Sequence, residues 1–436
     1  MSSSMKRAMD AEKTLTVIMD LGCELVQAET EVWLVEERLG EIFDAYGFKS
    51  NDVMITADCL EVTVRTQDGS VYTQIRKVRG KVMNMDRLGM LADLSHRILK
   101  DTPEPETVEA ELQEVLKKPG YPKVVSFLAA AFSAGNFTMF YNGWRQDVVL
   151  VALFAIFIMF VSDRLLKSED NPLITNTFVA YLIEILAVAA MLLGLGRSLP
   201  SMTAGLILLL IGNLGLASGM RELLHRNVLS GLTDFMHALL GAMGIAIGIS
   251  LALMTFGQNA LAQMQEQEVV QNTVVQMLAS IGGCVGFAVR VNCRGRVLIL
   301  SVAGAALSRV AYLLTMDLTE HNYFTATLMA ACFAGMFANL CGLAIGRPPT
   351  IFLTTCVLPL LPGLELYRLV YAIITNDQAG FSDNGRTLFL IIIAISLGYI
   401  IIEVIFKYGS IIFEKKREPD RISEQQPEAL KSNEVK

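Results

Sequence analysis

The sequence predicts a mainly α-helical, polytopic membrane protein of about ten transmembrane helices, built as a 5+5 inverted repeat behind an N-terminal cytosolic α+β domain. Three observations carry this. Of 436 residues, 53% are hydrophobic and the mean hydropathy is +0.47, an average that soluble globular chains rarely reach. The excess lies after residue 120, in apolar segments of span length. Basic residues between those segments are distributed as membrane topology requires.

The expected division is residues 1–120 for the cytosolic α+β domain, 121–265 and 266–410 for two five-helix membrane modules, and 411–436 for a disordered cytoplasmic tail. "MSSSMKRAMDAEKTLTVIMD" has no apolar core of a signal peptide, so the front is expected to stay in the cytoplasm, with the first span acting as insertion signal. Residues 10–47 read as one or two helices; "EVWLVEERLGEIFDAYG" puts Val32, Val35, Leu39, Ile42 and Phe43 on one face, with Gly47 as C-cap. Short β-rich runs follow near 52–57, 60–66 and 70–78, with a turn at Asp68-Gly69. Helical spacing returns in "MDRLGMLADLSHRILK", and "DTPEPE" links it to a last helix over 104–118. The glutamates of this front end read as a solvated helix face, and no catalytic constellation is present.

The ten apolar segments lie near 122–141, 147–163, 173–194, 200–220, 231–256, 273–290, 297–316, 323–345, 350–374 and 387–407. With a cytoplasmic N-terminus, the inside loops carry Arg164, Lys167, Arg221, Arg226, Arg290, Arg294, Arg296, Arg347 and Lys407, and the outside loops only Arg145, Arg197 and Arg386. The C-terminus is then cytoplasmic too. The tail is polar and lacks aromatics, the composition of a disordered segment. A net charge of −7, spread along the chain, gives no reason to expect nucleic acid. The seven cysteines and four histidines lack metal-ligand spacing, so neither metal nor cofactor is expected.

Five spans per half is an odd number, which turns a duplicated second half upside down. "LIGNLGLASGMREL" (210–223) and "LLPGLELYRLVYAI" (360–373) fall in the fourth span of each half, with Gly212-Asn213 opposite Pro362-Gly363. Pro362 removes a backbone donor and clashes with the preceding turn, and Gly363 tolerates other backbone angles. Together they predict two half-helices, whose broken backbone needs a cavity or neighbours and whose free N-terminus suits an anion. Glu365 and Arg368, three apart, share a helical face beside Tyr367. Two readings stay open: a kinked helix locked by an internal Glu365–Arg368 pair, or a binding site in which Arg368 meets a carboxylate and Glu365 an amino group or a proton.

Glu184 and Arg309 lie near mid-span, where a lipid-facing charge costs roughly 2.5–3.5 kcal/mol or more. They are expected to pair with each other or to line the path. Asp234 and Glu403 lie near the inner interface, where capping or snorkelling suffices. Asp147 reads as N-cap of the second span. Gly244/Gly248, Gly282/Gly286 and Gly342/Gly346, each four apart, read as close helix contacts.

Several stretches resemble the threonine/serine exporter family in its fused two-module form. "EVWLVEE" (31–37) resembles E-x-Y-R-V-E-D, matching at Glu31, Val35 and Glu36 with Leu34 in place of Arg. "NMDRLGMLADLSHRI", opening at Asn84, resembles N-L-x-x-V-x-x-L-x-x-L-S-R. "FTMFYNGWRQD" (137–147) resembles F-T-x-x-F-G-G-x-x-x-D, and "GMRELLHRNVLSGL" (219–232) resembles G-x-R-D-L-L-x-G-x-x-x-S-G-L. "LASIGGCVGFAV" and "LPLLPGLELYR" resemble the C-terminal module. The chain departs from the family at Gly212-Asn213, at Ala217-Ser218 and at Asn339, where Pro-Gly, Thr-Asn and Glu are usual. The resemblance implies a bacterial inner-membrane exporter of threonine or serine. It also implies functional roles for Glu31, Glu36 and Asn84 in the front domain, for Ser218 at the end of the fourth span and Arg221 and Glu222 just after it, and for Asp147 in gating.

Three function classes follow. The first is a secondary exporter of small amino acids, expected to be proton-coupled because no nucleotide motif is visible, with dicarboxylates such as succinate as the alternative substrate. The second is a non-transporting membrane sensor or scaffold with a cytosolic ligand-binding domain. The third, a membrane-embedded enzyme, finds no H-E-x-x-H, G-x-S-x-G or suitable Asp pair. Expected partners are a small amino or carboxylic acid, a proton, the lipid bilayer and a second copy of the chain.

Overall fold

The computed structural model describes residues 3–56, 58–78, 80, 83–166, 169, 171–210, 219, 222–223, 225–262 and 271–431. Its N-terminal region has helices α1 (Ser3–Gln27) and α2 (Val32–Ala45), strands β1 (Ser50–Ile55), β2 (Cys59–Arg65) and β3 (Val71–Lys77), then α3 (Met85–Asp101) and α4 (Pro105–Lys117). The strands form an antiparallel meander in the order β1-β2-β3, with Val62 opposite both Val53 and Gln74. Alternation along β2 buries Leu60, Val62 and Val64, and the sheet packs on α1 and α2. The five residues expected on one face of α2 are all buried. Asn84 N-caps α3, its side chain accepting from the Arg87 N–H. Gly69, at φ 89°, turns β2 into β3.

The remainder is helical: α5 (Lys123–Phe140), α6 (Arg145–Leu165), α7 (Pro172–Leu192), α8 (Leu199–Ile207), α9 (Val228–Ala262), α10 (Thr273–Arg290), α11 (Gly295–Leu318), α12 (Tyr323–Ile345), α13 (Thr350–Cys356), a 3₁₀ turn at Leu358–Leu360, α14 (Gly363–Thr375) and α15 (Gln378–Lys431). Among the described residues, eight helices are long and apolar enough to cross a membrane, and a ninth such element is a pair bent by 51° between Thr350–Leu360 and Gly363–Thr375. Of the expected fourth span, α8 is described; Gly212, Asn213, Ser218 and Arg221 lie outside the described residues.

Helices α10 to α13 and α15 begin 150 or 151 residues after α5 to α9, one for one. Local geometry repeats with them. Asn142 and Asn292 are both left-handed (φ 66° and 61°), as are Arg226 and Asn376 (φ 69° and 54°). Asn171 and Asn322 each N-cap the third helix of their set. Helices α5 and α10 run antiparallel along each other, tied at both ends and at the middle. The Tyr121 N–H at the start of α5 donates to Asn292 Oδ1 (2.7 Å), and the Gln271 N–H before α10 donates to Asn142 Oδ1 (3.1 Å). Between them Ser133 Oγ donates to the Gly283 carbonyl (2.8 Å). Glycine permits this approach: a Cβ on Gly286 would stand 2.6 Å from the Ala129 carbonyl, and one on Gly244 would stand 2.6 Å from the Leu173 carbonyl of α7.

Two boundaries differ from expectation. The last span begins nine residues early, at Gln378, because Asp377 caps it through the Gly380 N–H (3.0 Å). Helix α15 also continues to Lys431, where composition predicts a disordered tail. Once Gln378–Phe406 is helical, further turns add hydrogen bonds without a new nucleation cost. One buried cluster runs from Phe43, Leu60 and Leu88 of the N-terminal region to Phe137, Val291 and Phe352 of the spanning helices.

Candidate functional site

The chain breaks where the sequence requires it. Leu361 is extended (φ −69°, ψ 131°), the conformation imposed on a residue before proline. Pro362 is the N-cap of α14 and Gly363 its first residue. The break frees backbone carbonyls, and a side chain meets one of them: Tyr141, one residue past α5, donates its hydroxyl to the Leu361 carbonyl (3.0 Å). A Cβ on Gly363 would stand 3.2 Å from that hydroxyl. The other half mirrors this. Arg290, the last residue of α10, donates Nη1 to the Leu209 carbonyl just past α8 (3.2 Å). The end of the first helix of each set thus caps a carbonyl where α8 ends in one set and where the ninth element breaks in the other. Helices α8 and α14 pack on each other.

Around Tyr141 stand the charges of α11 and α14. The Arg309 guanidinium lies over the Phe140 ring (4.7 Å) and the Tyr312 ring (4.8 Å), a cation sandwiched by aromatic faces. Its buried Nε has no hydrogen-bond partner among the described residues. Glu365, in the first turn of α14, is half-buried. Tyr141 and Tyr312 are both within electrostatic reach of Arg309 and of Glu365. The arrangement gathers a guanidinium, a hydroxyl and a carboxylate at a broken backbone, a set able to meet both an anionic and a cationic group.

Other expected site residues lie elsewhere. Arg368 is exposed on α14 and makes no ion pair with Glu365 among the described residues, though it remains within electrostatic reach of that carboxylate. Tyr367 is buried and stacks on Tyr371 (6.0 Å). Glu184 and Arg309 form no ion pair: Glu184, fully buried on α7, accepts from Thr203 Oγ1 of α8 (2.7 Å). Its Oε1 has no partner among the described residues. Asp147 is not an N-cap but the third residue of α6. Its two oxygens accept the Trp144 N–H (3.0 Å) and the Arg197 N–H (2.8 Å), so it staples α6 to the start of α8. Glu222 lies at the N-terminus of α2, accepting the Val32 N–H (2.5 Å). Glu36 accepts the Ile55 N–H (2.9 Å) and Asn227 Nδ2 (3.2 Å), and Glu31 accepts from Thr350 Oγ1. Spacing alone does not reveal Tyr141 and Arg290, but "YNGWR" (141–145) and "VNCRG" (291–295) share the turn that places them.

A family model described as "Putative threonine/serine exporter" matches residues 16–256. A second, "Threonine/Serine exporter, ThrE", matches residues 276–405. The chain belongs to the threonine/serine exporter family. It is 27% identical over 380 residues to a Mycobacterium tuberculosis protein named "Probable threonine/serine exporter", with 80% of this chain and 71% of that one aligned. To the Corynebacterium glutamicum protein named "Threonine/serine exporter" it is 25% identical over 363 residues, covering 78% and 72%. No solved structure matches. The boundary between the two family models falls between α9 and α10, where one five-element set ends and the next begins.

Proposed function

We propose that the chain is a secondary exporter of threonine, serine and similar small amino acids. In this reading it crosses a bacterial inner membrane ten times, with both termini cytoplasmic. Residues 1–120 form the cytosolic domain, and the modules 121–265 and 266–410 form an inverted repeat ahead of the tail at 411–436. The antiparallel α5–α10 pair, with its reciprocal asparagine contacts, supports that relation. The substrate carboxylate meets Arg309 and its ammonium meets Glu365, with the Tyr141 hydroxyl between. Glu365 in the first turn of α14 offsets the positive end of the half-helix, so its carboxylate is the partner of the ammonium and the substrate carboxylate turns to Arg309. Glu184, buried with one oxygen unpartnered, is the candidate for the coupling proton.

The observation that carries this reading is a half-buried guanidinium held at a broken span by two aromatic rings, its Nε without a hydrogen-bond partner among the described residues. Taking a cation out of water without an anion is costly, and a substrate carboxylate supplies the anion. A dicarboxylate would place its second negative charge near Glu365, which disfavours succinate. The experiment is flux of labelled threonine, serine and succinate from proteoliposomes with an imposed pH gradient. Threonine or serine flux lost in Arg309→Gln is expected; succinate as the only transported solute would overturn the substrate assignment.

A further inference from the structure

The N-terminal region does more than sit beside the bundle. The first turn of α2 reaches three separate pieces of the membrane part. Glu31 accepts from Thr350, the first residue of α13 and thus the start of the broken ninth element. The Val32 N–H donates to Glu222, in the connection between the fourth element and α9. Trp33 stacks face to face on His225 (3.9 Å, 3°), and His225 Nε2 is 3.5 Å from Glu403 of α15. A second line of contacts comes from α3, where Asp93 bridges to Arg347 (2.6 Å) immediately before α13. The exposed Asp93–Arg347 pair contributes little by itself. The buried contacts of α2 are different: a carboxyl that accepts the first N–H of a helix and a buried Glu–Thr bond both cost free energy to separate.

We propose that the first turn of α2 is a conformational latch, which clamps the start of the broken ninth element and the connection leading into α9, and must release for the path to open at the face where α13 begins. This rests on the reading that the broken ninth element is a moving part of an exporter. An element that changes its tilt cannot keep a hydrogen bond from its first residue to a fixed glutamate.

The latch has a built-in pH dependence. Burial pushes the Glu222 carboxyl up to about 7, against the lowering effect of the Val32 N–H. The groups around it are Glu36 across Asn227, Asp234, Glu31, and the His225–Glu403 pair. A carboxyl whose pKa is raised in the docked state stabilises docking below its free value and loses that contribution as pH rises through about 7. The latch is therefore tight in acid and loosens on the alkaline side.

Cys356, fully buried near the end of α13, reports on it. The full-length protein in nanodiscs is treated with a membrane-impermeant maleimide, and modification of the Cys356 peptide is followed by mass spectrometry. Thr350→Val and Trp33→Ala should raise the labelling rate about tenfold, and Thr350→Ser, which keeps the hydroxyl, should leave it at the wild-type value. Wild type should label faster at pH 8 than at pH 6 relative to Glu222→Gln measured in parallel, which cancels the thiol's own pH dependence. Equal rates in wild type, Thr350→Val and Trp33→Ala, all folded by circular dichroism, would overturn the latch. Threonine is then added to the same assay: a latch-dependent rate that threonine leaves unchanged keeps the latch and counts against the exporter reading alone.

Discussion

The two five-element sets share a frame and divide the chemistry. Asn142 and Asn292 make the same contact from opposite ends of the α5–α10 pair. Each set breaks or ends its fourth element at the corresponding place, and a carbonyl there is met by a side chain from the end of the other set's first helix. Side chains at matched positions nevertheless differ. Arg309 corresponds to Met159, Glu365 to Gly215, and Tyr141 to Val291, while Glu184 corresponds to Gly335 and Asp147 to Val297. Packing is thus symmetric, whereas charge is not. A transporter needs the first to move between two related arrangements and the second to hold a substrate that has unlike ends.

The largest expected effect comes from breaking that asymmetry at Arg309. Arg309→Gln should lower threonine flux by about 100-fold or more, the scale of losing one partner of a buried charge pair, while Met159→Gln at the matched position should change it little. Initial-rate flux in proteoliposomes measures both. Equal losses at the two positions would make the charge at Arg309 irrelevant. Glu184→Gln should come next: export driven by a pH gradient should fall about tenfold, while threonine–threonine exchange, which needs no net proton movement, should persist. Gradient-driven export at the wild-type rate would remove Glu184 from coupling.

The shared frame is tested by a matched pair. Asn142→Ala and Asn292→Ala each strip the acceptor from a backbone N–H and force a left-handed alanine, together roughly 1–3 kcal/mol. Their effects on thermal unfolding in detergent should be alike, and a large difference would show that the two ends of α5–α10 are not equivalent. The smallest effect is expected from Tyr141→Phe, which leaves the Leu361 carbonyl uncapped but keeps the ring against Phe140. A few-fold fall in flux is expected; an unchanged rate would make the hydroxyl a structural cap without contact to substrate.

Much of the frame is legible in the sequence because it depends on local rules. Apolar periodicity gives α2, the helical spans follow from length and composition, and the break follows from Pro362-Gly363 with Leu361 before it. The site is less legible because it depends on which helix lies beside which. Three-residue spacing correctly puts Glu365 and Arg368 on one face of α14 and says nothing about what that face meets; Arg368 turns out to be exposed. Mid-span depth rightly marks Glu184 and Arg309 as unsuited to lipid. It does not reveal that Thr203 meets one and two aromatic rings meet the other. Glu31 and Glu36 read as a solvated helix face, and only tertiary docking brings them together with Glu222 in a buried contact between the N-terminal region and the bundle.

Binding of threonine and of threoninol, which lacks the carboxylate, to wild type and to Arg309→Gln in nanodiscs tests the central assignment most directly. A guanidinium that receives the substrate carboxylate predicts strong preference for threonine in wild type and loss of that preference in Arg309→Gln. An equal preference for threonine in both proteins would contradict it.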